Sequence, residues 1–280
     1  MLEGCRITFV GPGVMAEAML IGLLETAGVP ATQITLSGPR QNRLAQLEER
    51  YAVATSLQNR EAVSEADIVV ISVKPQSLTA VLDELHGAIP QDALVLSIVA
   101  GARLRSLTGG LDHTAIVRSM PNTPARVGEG ITVWTSTDAV DDDQREQARL
   151  ILAALGEEVF VEEENYLDMA TALSGTGPSY VYLFMEAMVD AGVHLGFPRR
   201  IAERLVVQTV KGSVAYYEHS PRHLARLRNE VTSPGGTSAA ALYYLEKAGF
   251  RTALSRAIWA AYERSAALGR SDQPGHLDDV

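Results

Sequence analysis

At 280 residues, 46% of them hydrophobic, the chain can bury one or two substantial cores without disulfide or metal staples, so an ordinary globular protein is expected. Its 34 acidic residues outnumber 24 basic ones, and a formal net charge of -10 with no basic cluster argues against a nucleic-acid partner. One cysteine, Cys5, closes no internal disulfide, and no set of cysteines and histidines has zinc spacing, so a reducing compartment and no metal are expected.

The first apolar stretch, 7–10, follows Glu3 and ends at once in Gly11, Pro12 and Gly13, so it reads as a strand and not as the long apolar core of a signal peptide. No run of about eighteen apolar residues offers a membrane span, and a cytoplasmic protein with no membrane partner is expected. An apolar helical stretch over 15–27, a strand over 34–36 and an amphipathic stretch over 44–50 follow. That rhythm signals βαβ units and a parallel sheet. It continues through an apolar run at 68–73, a helix over 77–85, and strands at 94–99 and 115–118, which implies helices on both faces of the sheet. Two further strands, 131–135 and 158–161, flank a helix opened by Asp141, Asp142 and Asp143, whose charges suit its positive end.

After Glu162 the texture changes to long 3.6-period patterns rich in Ala, Leu, Tyr and Met. Helices are expected over 180–194, 200–217, 239–248 and 252–268, punctuated by Gly196, Pro198, Pro221, Pro234 and Gly249. The boundaries predicted are an α/β domain over 1–162, an all-α domain over 163–270 and a polar tail over 271–280. Met15, Met19, Met185 and Met188 fall at helical spacing and read as core.

Directly after the first strand stands Gly11-Pro12-Gly13-Val14-Met15-Ala16, a Gly-x-Gly-x-x-Ala turn opening a helix. The first glycine makes the tight turn, the second lets backbone approach a pyrophosphate, and the small third residue lets helix and strand pack closely. With a strand before it and a βαβ rhythm behind it, the turn points to a Rossmann dinucleotide site; the alternative is a purely structural turn. A site for NAD usually carries an acid at the end of the second strand. Here Ser37-Gly38-Pro39-Arg40 stands there, and a hydroxyl, small residues and a cation suit the 2′-phosphate of NADP.

Far downstream lies Thr232-Ser233-Pro234-Gly235-Gly236-Thr237-Ser238, before the helix near Ala239. Two glycines let backbone N–H groups converge, and hydroxyls flank a positive helix end, so the loop reads as a carboxylate clamp or as a capped interhelical loop. Lys74, in Val73-Lys74-Pro75, ends a buried strand where ligands of open α/β sheets gather, and equally reads as a surface lysine. His219 and His223 have i,i+4 spacing, but Pro221 between them argues against a metal pair.

Together with Met120-Pro121-Asn122-Thr123-Pro124, Leu173-Ser174-Gly175-Thr176-Gly177-Pro178-Ser179-Tyr180 and the stretch 224–242, these motifs resemble the pyrroline-5-carboxylate reductase family across nearly the whole chain. The resemblance implies an α/β Rossmann N-terminal domain followed by an all-α C-terminal dimerisation domain. It also implies hydride transfer from NADPH, with NADH accepted by some members, to C5 of 1-pyrroline-5-carboxylate, giving L-proline. Gly11, Pro12, Gly13, Val14 and Met15 would hold the pyrophosphate, Ser37 and Arg40 would lie near the 2′-phosphate, and Asn59 would reach the adenosine ribose. Val73 and Lys74 would line the cofactor cleft, with Ala100 and Asn122 close to the nicotinamide. Ser233, Gly235, Gly236, Thr237 and Ser238 would bind the substrate carboxylate, Glu164 would stand beside the substrate, and Ser238 would be the catalytic residue whose hydroxyl reaches the substrate nitrogen. Homodimers through the helical domain, a decamer built from dimers, and a pocket combining two subunits are implied as well.

Two departures stand out. Ser238 replaces the family's usual threonine, keeping the hydroxyl and losing a methyl. Glu230 stands where an amide is common, and weakened cofactor binding is one consequence to weigh. Two rival readings remain: a β-hydroxyacid dehydrogenase, for which Lys211 or Lys247 would have to supply the acid or base, and a non-enzymatic NADP-sensing protein in which the loop is only structural.

Overall fold

The computed structural model describes residues 2–220 and 222–269, so Pro221 and the expected tail over 271–280 lie outside the described residues. The chain divides into two compact units, one of Met1–Thr176 with Ala261–Val280 and one of Gly177–Ala260.

In the first unit β1 (Ile7–Val10), α1 (Val14–Glu25), β2 (Ile34–Ser37), α2 (Gln41–Tyr51), β3 (Ala54–Ser56), α3 (Asn59–Val63), β4 (Ile68–Ile71), α4 (Leu78–Leu85), β5 (Leu94–Ser97), α5 (Leu104–Leu111) and β6 (Ile116–Met120) alternate as the βαβ rhythm predicts. They are followed by β7 (Gly130–Ser136), α6 (Asp142–Ala153), β8 (Gly156–Phe160) and α7 (Asn165–Ala170). The strands form one eight-stranded sheet in the order β3-β2-β1-β4-β5-β6-β7-β8. Its pairs are parallel except β6 with β7, where Arg118 faces Thr135 in antiparallel register. That reversal follows from the connection: residues 121–129 turn tightly through a 3-10 segment and Gly128 (φ 73°), too short for a parallel crossover.

The pleat sorts each central strand between two cores. Ile68, Val70, Leu94 and Leu96 face α1, α2 and α6, packing with Met19, Leu20, Leu44 and Ile151. Val69, Ile71 and Val95 face the other way, onto Leu82, Leu85, Leu107 and Leu111 of α4 and α5. The three aspartates begin α6, and Asp141 closes a capping box with Gln144.

The second unit holds α8 (Gly177–His194), α9 (Arg199–His219), α10 (Leu224–Glu230), α11 (Thr237–Lys247) and the first part of α12 (Phe250–Leu268). α8 packs on α9 through Val189, Ala202 and Val206, with Met185 and Met188 against them. Much of its remaining apolar surface is open: Tyr182, Leu205, Tyr243, Tyr244 and Trp259 are all more than half exposed. Apolar exposure of that extent marks an interaction surface. No described helix is long and apolar enough to cross a membrane.

Candidate active site

The N-terminal turn has the geometry of an anion cradle. Gly11 adopts φ 92°, and a Cβ built on it would stand 2.5 Å from Val73 Cγ1, so only glycine fits against the end of β4. Its N–H donates to Ser37 O at 2.9 Å, and Ser72 Oγ lies 3.0 and 2.9 Å from the Val10 and Gly11 carbonyl oxygens. Gly13 is the N-cap of α1 in extended conformation, without a side-chain cap, which leaves the first N–H groups of the helix open to an anion. Ala16 is buried beneath them. Behind the turn, Glu17 binds Arg43 (2.5 Å), Arg50 and Tyr51, while Arg43 Nε also reaches Pro12 O at 3.3 Å. Burial alone would raise the Glu17 carboxyl, but hydrogen bonds from Arg43 and Tyr51 and the charges of Arg43 and Arg50 win, and its pKa is lowered.

A cleft of about 550 Å³ opens from this turn, and it gathers Gly11, Pro12, Gly13, Arg40, Asn59, Val73 and Lys74. Val14 is exposed beside it, and Met15 packs partly against the core. Ser37 is fully buried: its hydroxyl donates to Asn59 Oδ1 at 2.7 Å, so it meets the cleft through Asn59. Asn59 Nδ2 in turn donates to Glu84 Oε2 at 2.8 Å, and Glu84 lines the same cleft.

Ala100, Asn122 and Glu164 lie elsewhere in the first unit. Ala100 lines a neighbouring cleft between α4 and α5, next to Gly101. Asn122 is a pin: Oδ1 accepts from Ile131 N at 3.0 Å, and Nδ2 donates to Ser174 O at 3.2 Å in a π-helical turn, Thr171–Gly175. Single π turns recur at functional sites. Glu164 Oε1 accepts from Leu104 N and from Arg118 Nη1, both at 2.7 Å, so the start of α5 and a buried guanidinium hold one carboxylate oxygen. Arg118 also reaches Asp168 Oδ1 at 3.1 Å, and Asp168 Oδ2 binds Arg103 at 2.8 Å. The Arg118 and Asp168 side chains are each 3% exposed.

The loop 232–238 belongs to the second unit. Gly235 takes φ 71°, and Gly236 is the N-cap of α11, again extended and without a side-chain cap. Gly236 N donates to Ser233 O at 3.0 Å, closing a turn that leaves Thr237 and Ser238 in the first turn of α11. The backbone angles at Gly13 (φ -81°, ψ -168°) and Gly236 (φ -79°, ψ 168°) are nearly the same, and each precedes a helix of eleven or twelve residues. Glu230 is engaged by Arg222 at 2.8 Å and Arg226 at 3.4 Å.

Sequence reasoning missed Glu84 and Arg118, which bind the predicted site residues Asn59 and Glu164, and Asp168 and Arg103, which stand behind Arg118. Their partners are remote in sequence, and no local spacing reveals them.

Comparison with known proteins agrees with both halves. Residues 6–101 match a family described as NADP oxidoreductase coenzyme F420-dependent, and residues 164–268 match one described as pyrroline-5-carboxylate reductase dimerisation. The chain is 41% identical over 265 residues to the pyrroline-5-carboxylate reductase of Synechocystis sp., covering 95% of this chain and 98% of that one. Against the Pseudomonas aeruginosa enzyme of the same name it is 42% identical over 264 residues, covering 94% and 96%. A crystal structure of Plasmodium falciparum pyrroline carboxylate reductase with NADP bound superposes with a TM-score of 0.87 at 33% identity, covering 95% and 99%.

Proposed function

Because the chain belongs to the pyrroline-5-carboxylate reductase family, we propose that it reduces the imine of 1-pyrroline-5-carboxylate to L-proline with NADPH, NADH being the alternative donor. The observation that carries this reading is the pair of glycine-capped helices: α1 and α11 each present uncapped N–H groups to an anion, one in each unit.

The cradle fits a dinucleotide on its own geometry, since the glycine at 11 is sterically required and the α1 end carries no competing cap. The turn 11–13 lets the pyrophosphate approach, the Val14 and Met15 N–H groups hold it, Arg40 meets the 2′-phosphate, and Asn59, oriented by Ser37 and Glu84, meets the ribose. The reduced nicotinamide supplies the hydride that C5 accepts. Ala100 and Asn122 shape its seat, with Asn122 holding Ser174 O and Ile131 N in register.

Ser233, Gly235, Gly236 and Thr237 hold the substrate carboxylate, and the Ser238 hydroxyl hydrogen-bonds the ring nitrogen. Glu164 stands beside the substrate with one oxygen fixed by Arg118 and Leu104 N. A protonated imine already carries the proton its nitrogen needs, so alignment, charge stabilisation and exclusion of water suffice, and no acidic side chain has to deliver one.

The exposed apolar face of the helical unit supports a homodimer, with a decamer built from dimers as the larger assembly and a pocket built by two subunits. A lone cysteine supports a reducing, cytoplasmic location. The domain boundaries proposed are 1–162 and 163–270, which the helical family match beginning at residue 164 favours, whereas the compact units divide at Thr176 and the end of α12 returns to the first unit. Full-length identity to reductases favours this reading over a β-hydroxyacid dehydrogenase, and Lys211 stands exposed on α9.

The test is to supply purified protein with 1-pyrroline-5-carboxylate and each reduced nucleotide and follow nucleotide oxidation. Proline should form stoichiometrically. Oxidation of neither nucleotide, alongside turnover of a 3-hydroxy acid, would return the rival reading.

A further inference from the structure

We propose that Glu84 sets the balance between phosphorylated and unphosphorylated dinucleotides, an inference that rests on the cofactor reading above. In Rossmann sites that prefer NAD a carboxylate from the end of the second strand takes the ribose 2′-hydroxyl. Here the second strand ends in Ser37 and leads through Gly38 and Pro39 to Arg40. The carboxylate comes instead from α4: Glu84 lines the cleft with one oxygen 2.8 Å from Asn59 Nδ2.

The Asn59 amide is fixed at both ends. Ser37 donates to its oxygen at 2.7 Å, and its nitrogen donates to Glu84; a flipped amide would set its oxygen against the acceptor-only carboxylate, so Glu84 fixes the orientation. One N–H of Asn59 is left for a ligand. A ligand oxygen on that N–H stands roughly 5 Å from the Glu84 carboxylate, given ordinary hydrogen-bond lengths and the amide angle. Among the described residues no cation forms a salt bridge with Glu84. The nearby Arg60 guanidinium donates to the main-chain carbonyls of Glu84 (2.6 Å) and His86 (3.3 Å). The cations of the cleft, Arg40 and Lys74, form no salt bridge with Glu84.

A ribose hydroxyl beside Glu84 is a donor to an acceptor. A 2′-phosphate there brings close to two negative charges toward a third. Arg40 attracts that phosphate and Glu84 repels it, so the preference for NADPH is set by their difference. Glu84 acts through its charge, and also as the positioning residue that orients Asn59.

The test uses nucleotide fragments and needs no turnover. Calorimetry measures adenosine 2′,5′-bisphosphate and adenosine 5′-monophosphate against the full-length protein and against Glu84→Gln, which keeps an acceptor for Asn59 and removes the charge. The affinity ratio should move about three- to tenfold toward the bisphosphate at low salt, and by less as salt rises. Ser37→Ala, which loosens the amide and leaves the charge, should weaken both fragments and leave their ratio in place. If both fragments bind the wild type and Glu84→Gln leaves the ratio unchanged at low salt, Glu84 has no such role while the cofactor reading stands. An equal ratio shift in Ser37→Ala would overturn the charge argument. If neither fragment binds the wild type, the cofactor reading fails and takes this inference with it.

Discussion

Ser265 Oγ donates to Asp168 Oδ1 at 3.0 Å across 97 positions of sequence, joining the last helix to the carboxylate that also holds Arg118 and Arg103. Both residues are 2% exposed. The Asp168 carboxylate therefore closes a buried network in which two arginines meet two acids, and Glu164 is the member that reaches outward, with 24% of its side chain exposed.

Removing one charge from this network strands another. Asp168→Asn leaves the buried Arg118 with Glu164 alone and takes the carboxylate from the partly exposed Arg103, and a loss of about 2–4 kcal/mol in unfolding free energy is expected. Ser265→Ala removes one hydrogen bond and should cost about 1 kcal/mol. Urea unfolding measures both. A cost for Asp168→Asn no larger than for Ser265→Ala would show that the arginines find other partners.

The elements legible in the sequence were those whose environment is uniform along them. β4 reads as Ile-Val-Val-Ile because both its faces are buried, and the α1 turn reads from its glycines because the pattern is local. β3 is a three-residue edge strand, Ala54–Ser56, with no buried alternation to betray it. α5 hides behind Gly109 and Gly110, poor helix formers, although Leu104, Leu107 and Leu111 keep helical spacing. Glu84 and Asp168 were invisible for another reason: their partners Asn59 and Arg118 lie 25 and 50 positions away. Tyr243, Tyr244 and Trp259 carry helical periodicity without burial, because the surface that would cover them is not supplied by this chain's own described residues.

Glu17 links stability to pH. Burial pushes its carboxyl up, the Arg43 and Tyr51 hydrogen bonds and the nearby guanidinium charges push it down by more, and its folded pKa is below the unfolded value. A depressed carboxyl contributes stability that is complete above the unfolded pKa and is lost as pH falls through the folded one. Glu17→Gln should therefore cost about 1–2 kcal/mol at neutral pH and almost nothing in strong acid. Thermal melts of both proteins from neutral to acid pH read the difference. Parallel curves would exclude Glu17 as a source of acid lability.

Gly11→Ala tests the cradle. The added methyl meets Val73 Cγ1 at 2.5 Å and Val73 backbone at 3.0 Å, at a φ of 92° that L side chains rarely adopt. Either the turn or the segment after β4 has to yield, and a stability loss of about 1–3 kcal/mol is expected together with weakened dinucleotide binding. Binding of NADPH at wild-type affinity would mean that the pyrophosphate sits elsewhere.

Gly236 and Ser238 separate binding from turnover. A Cβ on Gly236 would stand 2.5 Å from Ser233 Oγ and 3.2 Å from Ser233 O, so Gly236→Val breaks the turn that aims the α11 N–H groups. In the proposed function those groups hold a carboxylate present in both substrate and transition state, so its loss would be one of uniform binding and should raise KM more than it lowers kcat. The Ser238 hydroxyl, placed on the reacting nitrogen in the proposed function, would meet a charge that changes during reduction. Ser238→Ala should lower kcat by roughly ten- to a hundredfold, the value of one hydrogen bond to a charged group. Ser238→Thr restores the hydroxyl and adds a methyl that limits its rotamers, so kcat should match or exceed the wild type. Steady-state kinetics with 1-pyrroline-5-carboxylate decides it: equal kcat for Ser238→Ala and wild type would remove that hydroxyl from the chemistry and leave α11 as a carboxylate clamp alone.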